Sequence, residues 1–288
     1  MPELPEVEVV KRSLKNKILN LVLKSVQINN KKLRYKIDTT KIKKLCGKKI
    51  NSIKRRSKYL LISFDNKLVL LVHLGMTGKF FIEDNKKNYK RLSFYYDSEN
   101  NHKKHDHVIF NFNNYINLIY NDVRKFGFIK IIKSENILKN KHLNYLGPEP
   151  LSKYFSFNYF KDKIINKNNS IKNVLMDQKF VSGLGNIYVN EILFWSKIKP
   201  EKNIKKISNN EIRKIILFTK IILKKSIKLG GSSIKDFKDS SGNSGKFQQK
   251  FNVYNKEGTK CPTRNCNNLI RKIYISKRST FYCYKCQK

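Results

Sequence analysis

Two groups of residues in this chain have types and spacings that could do chemistry. Cys261 and Cys266 form a C-x4-C pair, Cys283 and Cys286 a C-x2-C pair, and 16 residues lie between the pairs. In a reducing compartment, two close cysteine pairs flanking a short hairpin make a tetrahedral zinc site before they make disulfides. Four thiolates close the coordination shell, so the expected ion is structural and leaves no place for an activated water. The second group is at the N-terminus, where Pro2 and Glu3 follow Met1. A small second residue normally allows Met1 to be removed, which exposes a secondary amine. Such an amine titrates near ~7.7–8.0, so a usable fraction is neutral and nucleophilic at physiological pH. Its attack on an anomeric sugar carbon would expel the base and leave an iminium, an electron sink for later elimination. Glu3 is placed to protonate the opening sugar. Taken alone, a proline and a glutamate before a helix do no more than start it.

The elements that must position these groups follow from periodicity. A first helix is expected from Pro5, with Glu6 and Glu8 favourable in its first turn and Val7, Val10, Leu14 and Ile18 on one face. From about Leu21 to Ile132 the pattern is that of strands. Leu60–Phe64 and Leu68–Leu74 flank the turn Asp65-Asn66-Lys67, and alternating Val108, Phe110 and Phe112 meet Ile116, Leu118 and Tyr120 across Asn113-Asn114. A mostly antiparallel β-sandwich is expected. Beyond the rigid Leu146-Gly147-Pro148-Glu149-Pro150 the period turns helical over 157–166, 171–178, 187–196 and 208–229. The Gly/Ser/Lys-rich 230–250 reads as a mobile loop, and the cysteine region as a hairpin in which Ile270, Lys272, Tyr274 and Ser276 alternate. Cys46, in Leu45-Cys46-Gly47, reads as a small buried residue. The expected class is α+β in two domains: residues 1–135 a β-sandwich with flanking helices, 136–153 a hinge, 154–250 helical, and 251–288 a zinc-ribbon hairpin.

Composition narrows the partner. The chain has 62 Lys+Arg against 21 Asp+Glu, a net charge of +41, which calls for a polyanion because such cations release counterions condensed on phosphates. Part of the excess reflects an A+T-biased coding sequence that fills exposed faces with Lys. No run of some 18 apolar residues spans a membrane, and the acidic, proline-marked start is the opposite of a signal peptide. At this level a zinc-dependent DNA-binding module without activity competes with an enzyme.

The wider string decides between them. Met1-Pro2-Glu3-Leu4-Pro5-Glu6-Val7-Glu8 resembles the start of bacterial formamidopyrimidine-DNA glycosylases. So, in the same order, do Arg55–Leu60, His73-Leu74-Gly75-Met76, Lys104–Val108, Arg124-Lys125-Phe126-Gly127, Leu146–Pro150, Gly183–Tyr188, Gly230-Gly231 before Lys235-Asp236-Phe237, and Arg278–Cys283. Leu4 favours this group over its endonuclease VIII relatives, which usually carry Gly there.

The resemblance implies a C-terminal helix–two-turn–helix domain and a base-excision-repair enzyme, a DNA glycosylase and AP lyase removing 8-oxoguanine and formamidopyrimidines by β,δ-elimination. Pro2 matches the Schiff-base nucleophile, Glu3 the acid at the sugar, and Glu6 a member of the same acidic pocket. Lys58 matches a hairpin-tip lysine that assists elimination, and Arg278 an arginine that binds the neighbouring phosphate. Met76, Arg124 and Phe126 match the trio that fills the gap left by a flipped-out nucleotide, where inserted side chains replace part of the lost stacking. His105, Asn168, Lys172 and Asn186 match positions that contact DNA or lie beside the pocket. The implied cofactor is one structural Zn. The implied partner is damaged double-stranded DNA and no membrane, met by a monomer in the bacterial cytoplasm, at the nucleoid. Three departures stand out: the C-x4-C knuckle in place of C-x2-C, Asn166–Ser170 where relatives have a Lys run, which leaves Asn168 or Lys167 for the contact, and a diverged 232–250 loop that governs base preference. The alternatives are an oxidised-pyrimidine glycosylase of the endonuclease VIII type and a non-catalytic zinc-dependent damaged-DNA-binding protein.

Overall fold

A computed structural model describes residues 1–84, 89–91 (backbone only), 103–232 and 250–288. The chain separates into two compact units. One is Met1–Asn144 with the described start of Leu229–Gln248; the other is Tyr145–Lys228 with 250–288.

In the first unit, helix α1 (Leu4–Ile18) buries the stripe Leu4, Val7, Val10, Leu14 and Ile18. It starts one residue before Pro5, because Glu3 and Glu6 form a capping box that satisfies amides ahead of the proline. Two antiparallel sheets follow. Strands β1 (Leu23–Ile28), β5 (Lys79–Glu83), β6 (Tyr89–Arg91), β7 (Asp106–Phe112) and β8 (Asn117–Asn121) make one, in the order β1-β7-β8-β5-β6. Strands β2 (Ile50–Arg56), β3 (Tyr59–Phe64), β4 (Leu68–His73) and β9 (Phe128–Lys133) make the other, in chain order. The short helix α2 (Thr39–Lys43) is capped by Asp38. Leu60, Ile62, Leu70 and Val72 of the second sheet share a core with Phe80, Val108, Phe110 and Leu118 of the first and with the buried face of α1. This is the expected sandwich, its alternation set by the period-2 pattern. At the β7–β8 turn the left-handed residues are Asn114 and Tyr115, one step later than Asn113-Asn114, while Asn113 Oδ1 accepts from the Val22 amide. Cys46 is half-buried, not buried.

The second unit carries α3 (Phe157–Ile164), α4 (Ile171–Met176), α5 (Asn186–Ser196) and α6 (Asn209–Lys228), then the hairpin β10 (Arg271–Ile275) and β11 (Arg278–Tyr282). The helical class and the ribbon match expectation. Among the described residues no helix is long and apolar enough to cross a membrane. The expected loop falls mostly in 233–249, outside the described residues.

Candidate catalytic pocket and nucleic-acid interface

The first unit gathers several of the expected chemical groups around the N-terminus. Pro2, Glu3 and Glu6 are buried. The Glu3 amide donates to Glu6 Oε2 at 2.9 Å, and Glu6 Oε1 accepts from the Ser232 amide at 2.7 Å and the Ser232 hydroxyl at 2.8 Å. Gly231, at φ +87°, lies so close that a Cβ would stand 3.2 Å from Glu6 Oε1. One carboxylate thus ties the start of α1 to the beginning of the loop after Leu229, a second job for Glu6 that its place in a first turn did not reveal.

Lys58 sits in the two-residue turn between β2 and β3, beside left-handed Ser57, and is almost wholly buried. Arg55 holds that turn: its Nη1 donates to the Ser57 carbonyl at 2.9 Å and its Nε to Glu8 Oε2 at 3.0 Å. Burial would raise the Glu8 carboxyl, but the hydrogen bonds from Lys11 and Arg55 outweigh it and hold Glu8 below the ordinary value.

In the structure the N-terminal amine is that of Met1, one residue ahead of the Pro2 nitrogen. Burial lowers its pKa from 8.0, against the opposing fields of Glu3 and Glu6 and with help from Lys58 and Arg124. Glu3, Glu6, Lys58 and Arg124 therefore all act on the N-terminal amine, and its shift favours the neutral, nucleophilic form.

His73, at the end of β4, is a pocket neighbour that residue type alone did not single out. Burial, then the Lys58, Arg34 and His142 charges, push it down to about 3, so the ring is neutral. Its Nδ1 accepts from the Gly75 amide at 3.1 Å, which leaves the proton on Nε2. The signal for it was the His73-Leu74-Gly75-Met76 string.

Met76, Arg124 and Phe126 come from two adjoining loops. A Cβ on Gly75, at φ +62°, would fall 2.4 Å from the Phe126 carbonyl carbon, so glycine permits the close approach. The Arg124 guanidinium lies 4.5 Å from the Phe126 ring centroid, and Phe126 is 45% exposed. His105 is half-buried in the turn before β7, and its carbonyl accepts from the Asp122 amide.

In the second unit the two turns before α5 are fastened by Gln178. Its Oε1 accepts from the Gly183 amide and its Nε2 donates to the Met176 and Leu184 carbonyls. Left-handed Gly183 and extended Gly185 then deliver Asn186 to the first position of α5. Asn186 Nδ2 donates to the Ser279 carbonyl at 2.9 Å. Lys172 is completely buried and donates to that same carbonyl at 3.1 Å and to Thr280 Oγ1 at 2.7 Å. Expected as a DNA-side residue, Lys172 has its ammonium inside the protein, on β11. The Ser276-Lys277 turn has both residues left-handed, and Arg278 follows exposed at the start of β11. Asn168 is exposed and accepts from Asn203 Nδ2, while Lys167 lies 3.6 Å from Asp177.

The Sγ atoms of Cys261, Cys266, Cys283 and Cys286 all lie within 4.8 Å of one another, with Cys261–Cys286 at 3.8 Å and Cys266–Cys283 at 3.7 Å. An ion at ~2.3 Å from each of four sulfurs in a tetrahedron spaces those sulfurs ~3.8 Å apart. The wider C-x4-C knuckle, turning through left-handed Asn265, still brings Cys261 and Cys266 within 4.8 Å of each other. The four cysteines can hold a metal ion.

Two family models match: the formamidopyrimidine-DNA glycosylase N-terminal domain over residues 1–129 and the formamidopyrimidine-DNA glycosylase H2TH domain over 146–238. A formamidopyrimidine-DNA glycosylase of Rickettsia bellii is 42% identical over 288 residues, covering all of both chains. A Lactococcus lactis Fpg variant in complex with Fapy-dG containing DNA superposes with a TM-score of 0.86 at 36% identity, again covering both chains completely. The wild-type Lactococcus lactis Fpg with oxidised-pyrimidine containing DNA gives 0.84 at 35%, with the same coverage. A match of this extent, on a chain whose acidic N-terminus, two-turn helix start and four-cysteine ribbon are all in place, shows that the chain belongs to the formamidopyrimidine-DNA glycosylase family.

Proposed function

We propose that this enzyme excises oxidised purines, 8-oxoguanine and formamidopyrimidines, from duplex DNA and then nicks the strand by β,δ-elimination. The observation that carries the reading is the chain start itself, where Pro2, Glu3, Glu6 and Lys58 are all buried and the N-terminal amine feels Glu3, Glu6, Lys58 and Arg124. With Met1 removed, the Pro2 nitrogen becomes that amine and attacks C1′ of the damaged nucleotide. Glu3 donates a proton to the opening sugar ring, and the base leaves with its bonding electrons. The C1′–N iminium acidifies C2′; loss of a proton there expels the 3′ phosphate, and a second elimination expels the 5′ phosphate. Lys58, next to the amine, serves the proton transfers and meets the phosphodiester, and Arg278 grips the neighbouring phosphate. His105, Asn186 and Asn168 take further backbone contacts. Lys172 acts one step back: anchored on Ser279 and Thr280, it sets where Arg278 stands. Met76 and Phe126 enter the gap left by the flipped nucleotide, and Arg124 reads the orphaned base.

The metal is zinc in this reading, held by the four thiolates. When bound it ties the ribbon together and supplies no reactive water.

The Lactococcus lactis complex with an oxidised-pyrimidine DNA supports a second reading, in which pyrimidine lesions are the main substrate. Borohydride trapping on duplexes bearing 8-oxoguanine, an oxidised pyrimidine or no lesion separates the two. A covalent adduct with 8-oxoguanine is expected; an adduct with the pyrimidine alone moves the substrate. Tight, salt-sensitive binding without any adduct would leave only a binding protein.

A further inference from the structure

Asp122, directly after β8, is completely buried and is held at every polar atom. Its amide donates to the His105 carbonyl at 3.1 Å, and its carbonyl lies 2.8 Å from His107 Nε2. A carbonyl only accepts, so His107 Nε2 is the donor there, and its buried Nδ1 has no hydrogen-bond partner among the described residues. The carboxylate faces the two loops that present the gap-filling side chains. Oδ1 accepts from the Thr77 hydroxyl at 2.5 Å, and Oδ2 from the Gly127 amide at 2.8 Å and the Tyr120 hydroxyl at 3.4 Å. Thr77 completes the link, because its Oγ1 also accepts from the Arg124 amide at 3.0 Å. A threonine hydroxyl has one proton and two lone pairs, so it can serve both loops at once. The space is filled as well: a Cβ on Gly127 would lie 1.9 Å from the Tyr120 oxygen.

We propose that Asp122 and Thr77 are positioning residues that lock the Met76 loop and the Arg124–Phe126 loop into one pre-formed wedge, and so set how sharply the enzyme reads the base opposite the lesion. The proposal rests on the reading that Met76, Arg124 and Phe126 enter the duplex. Neither residue touches DNA in this account. A wedge already ordered spends none of the insertion energy on fixing its own backbone, and the Arg124 guanidinium arrives in one orientation. A loose wedge would still insert, but its guanidinium would meet cytosine and adenine with similar ease.

The test uses the full-length enzyme with Thr77→Val, which keeps the side-chain shape and removes the hydroxyl, and Thr77→Ser, which restores it. Asp122→Asn gives a second route should Thr77→Val fold poorly. Single-turnover excision of 8-oxoguanine opposite cytosine and opposite adenine gives a rate ratio that the fraction of active enzyme does not affect. Hydrogen exchange at the Arg124 and Gly127 amides reports the lock without DNA. With a net hydrogen bond worth about a factor of five to ten, Thr77→Val is expected to cut the cytosine-to-adenine ratio about five- to tenfold and to speed exchange at Arg124 by a similar factor, with Thr77→Ser within about twofold of wild type. An unchanged ratio in Thr77→Val, when Arg124→Ala abolishes discrimination, overturns the positioning role. An unchanged ratio in Arg124→Ala removes the wedge reading itself, and the proposal with it. Unchanged exchange in Thr77→Val overturns the lock directly.

Discussion

Glu191→Gln is expected to loosen the metal ribbon without touching any cysteine. Glu191 lies on α5, 2% exposed, and its carboxylate gathers the segment that leads into the ribbon. Oε1 accepts from the amides of Asn252, Val253 and Tyr254 at 3.1, 3.0 and 2.9 Å. Oε2 accepts from the Asn252 amide and from its Nδ2, both at 2.9 Å. Val253 packs with Phe194, Phe281 and the cysteines, so this carboxylate supports the wall of the four-cysteine cluster. Glutamine keeps one acceptor. Placed at Oε1 it retains the Val253 and Tyr254 amides and the longer bond from the Asn252 amide, but turns an NH2 toward Asn252 Nδ2; flipped, it opposes the Val253 and Tyr254 amides. Hydrogen bonds to an ionised group contribute ~1.5–3 kcal/mol and neutral ones ~1, so the retained bonds weaken by about 1–2 kcal/mol together. The Asn252 Nδ2 donor, which bonds only Oε2 of the two carboxylate oxygens, now faces another donor and adds ~1–3 kcal/mol, and cheaper burial of a neutral amide returns part of it. A net loss of about 2–4 kcal/mol is expected. Thermal unfolding of the metal-loaded protein, followed with metal release to a colorimetric chelator, should show a lower midpoint and release at least about tenfold faster, since ~1.4 kcal/mol is a factor of ten. An unchanged midpoint together with unchanged release would refute the reasoning that this carboxylate braces the ribbon.

Other outcomes follow from the same geometry. Pro2→Gly is expected to lose most base excision while still binding lesion DNA in gel-shift titrations; normal cleavage would remove Pro2 as nucleophile. Metal analysis of protein purified without chelator should find close to one zinc per chain, and less than about half an equivalent would count against the four-cysteine site. The His73 ring is held neutral down to about 3, against an ordinary value of 6.5. Below pH 6.5 the unfolded chain therefore takes up a proton that the folded chain refuses, and stability falls as pH drops toward 3. Urea unfolding at stepped pH should show His73→Gln losing less stability than wild type over that window, by up to about 1.4 kcal/mol per pH unit for a fully refused proton. Parallel losses would place the pH dependence elsewhere.

Much of this fold was legible because its elements follow local rules. The stripe Val7, Val10, Leu14 and Ile18 and the alternation of Val108, Phe110 and Phe112 each have a period that only one kind of element satisfies. The cysteine spacing named a four-sulfur cluster because the hairpin between the pairs closes by its own turn chemistry. What local pattern cannot carry is a long-range polar partner. Nothing around Lys172 says that its ammonium ends on Ser279 and Thr280, and nothing in a glutamate of a first turn says that it will cap Ser232. Asp122 was equally silent, because a buried carboxylate and a surface one look alike in sequence until their donors are in place. Where the strings match the family, the candidate residues can be named in advance; where burial turns a cation inward, only the contacts show where it ends.

The most direct test of the central claim is where the covalent bond forms. Borohydride-trapped enzyme on 8-oxoguanine duplex, digested and mapped by mass spectrometry, should carry the sugar remnant on the nitrogen of Pro2, in a chain that has lost Met1. An adduct on Lys58 or any other lysine, or efficient trapping by chains that still carry Met1, would contradict the account.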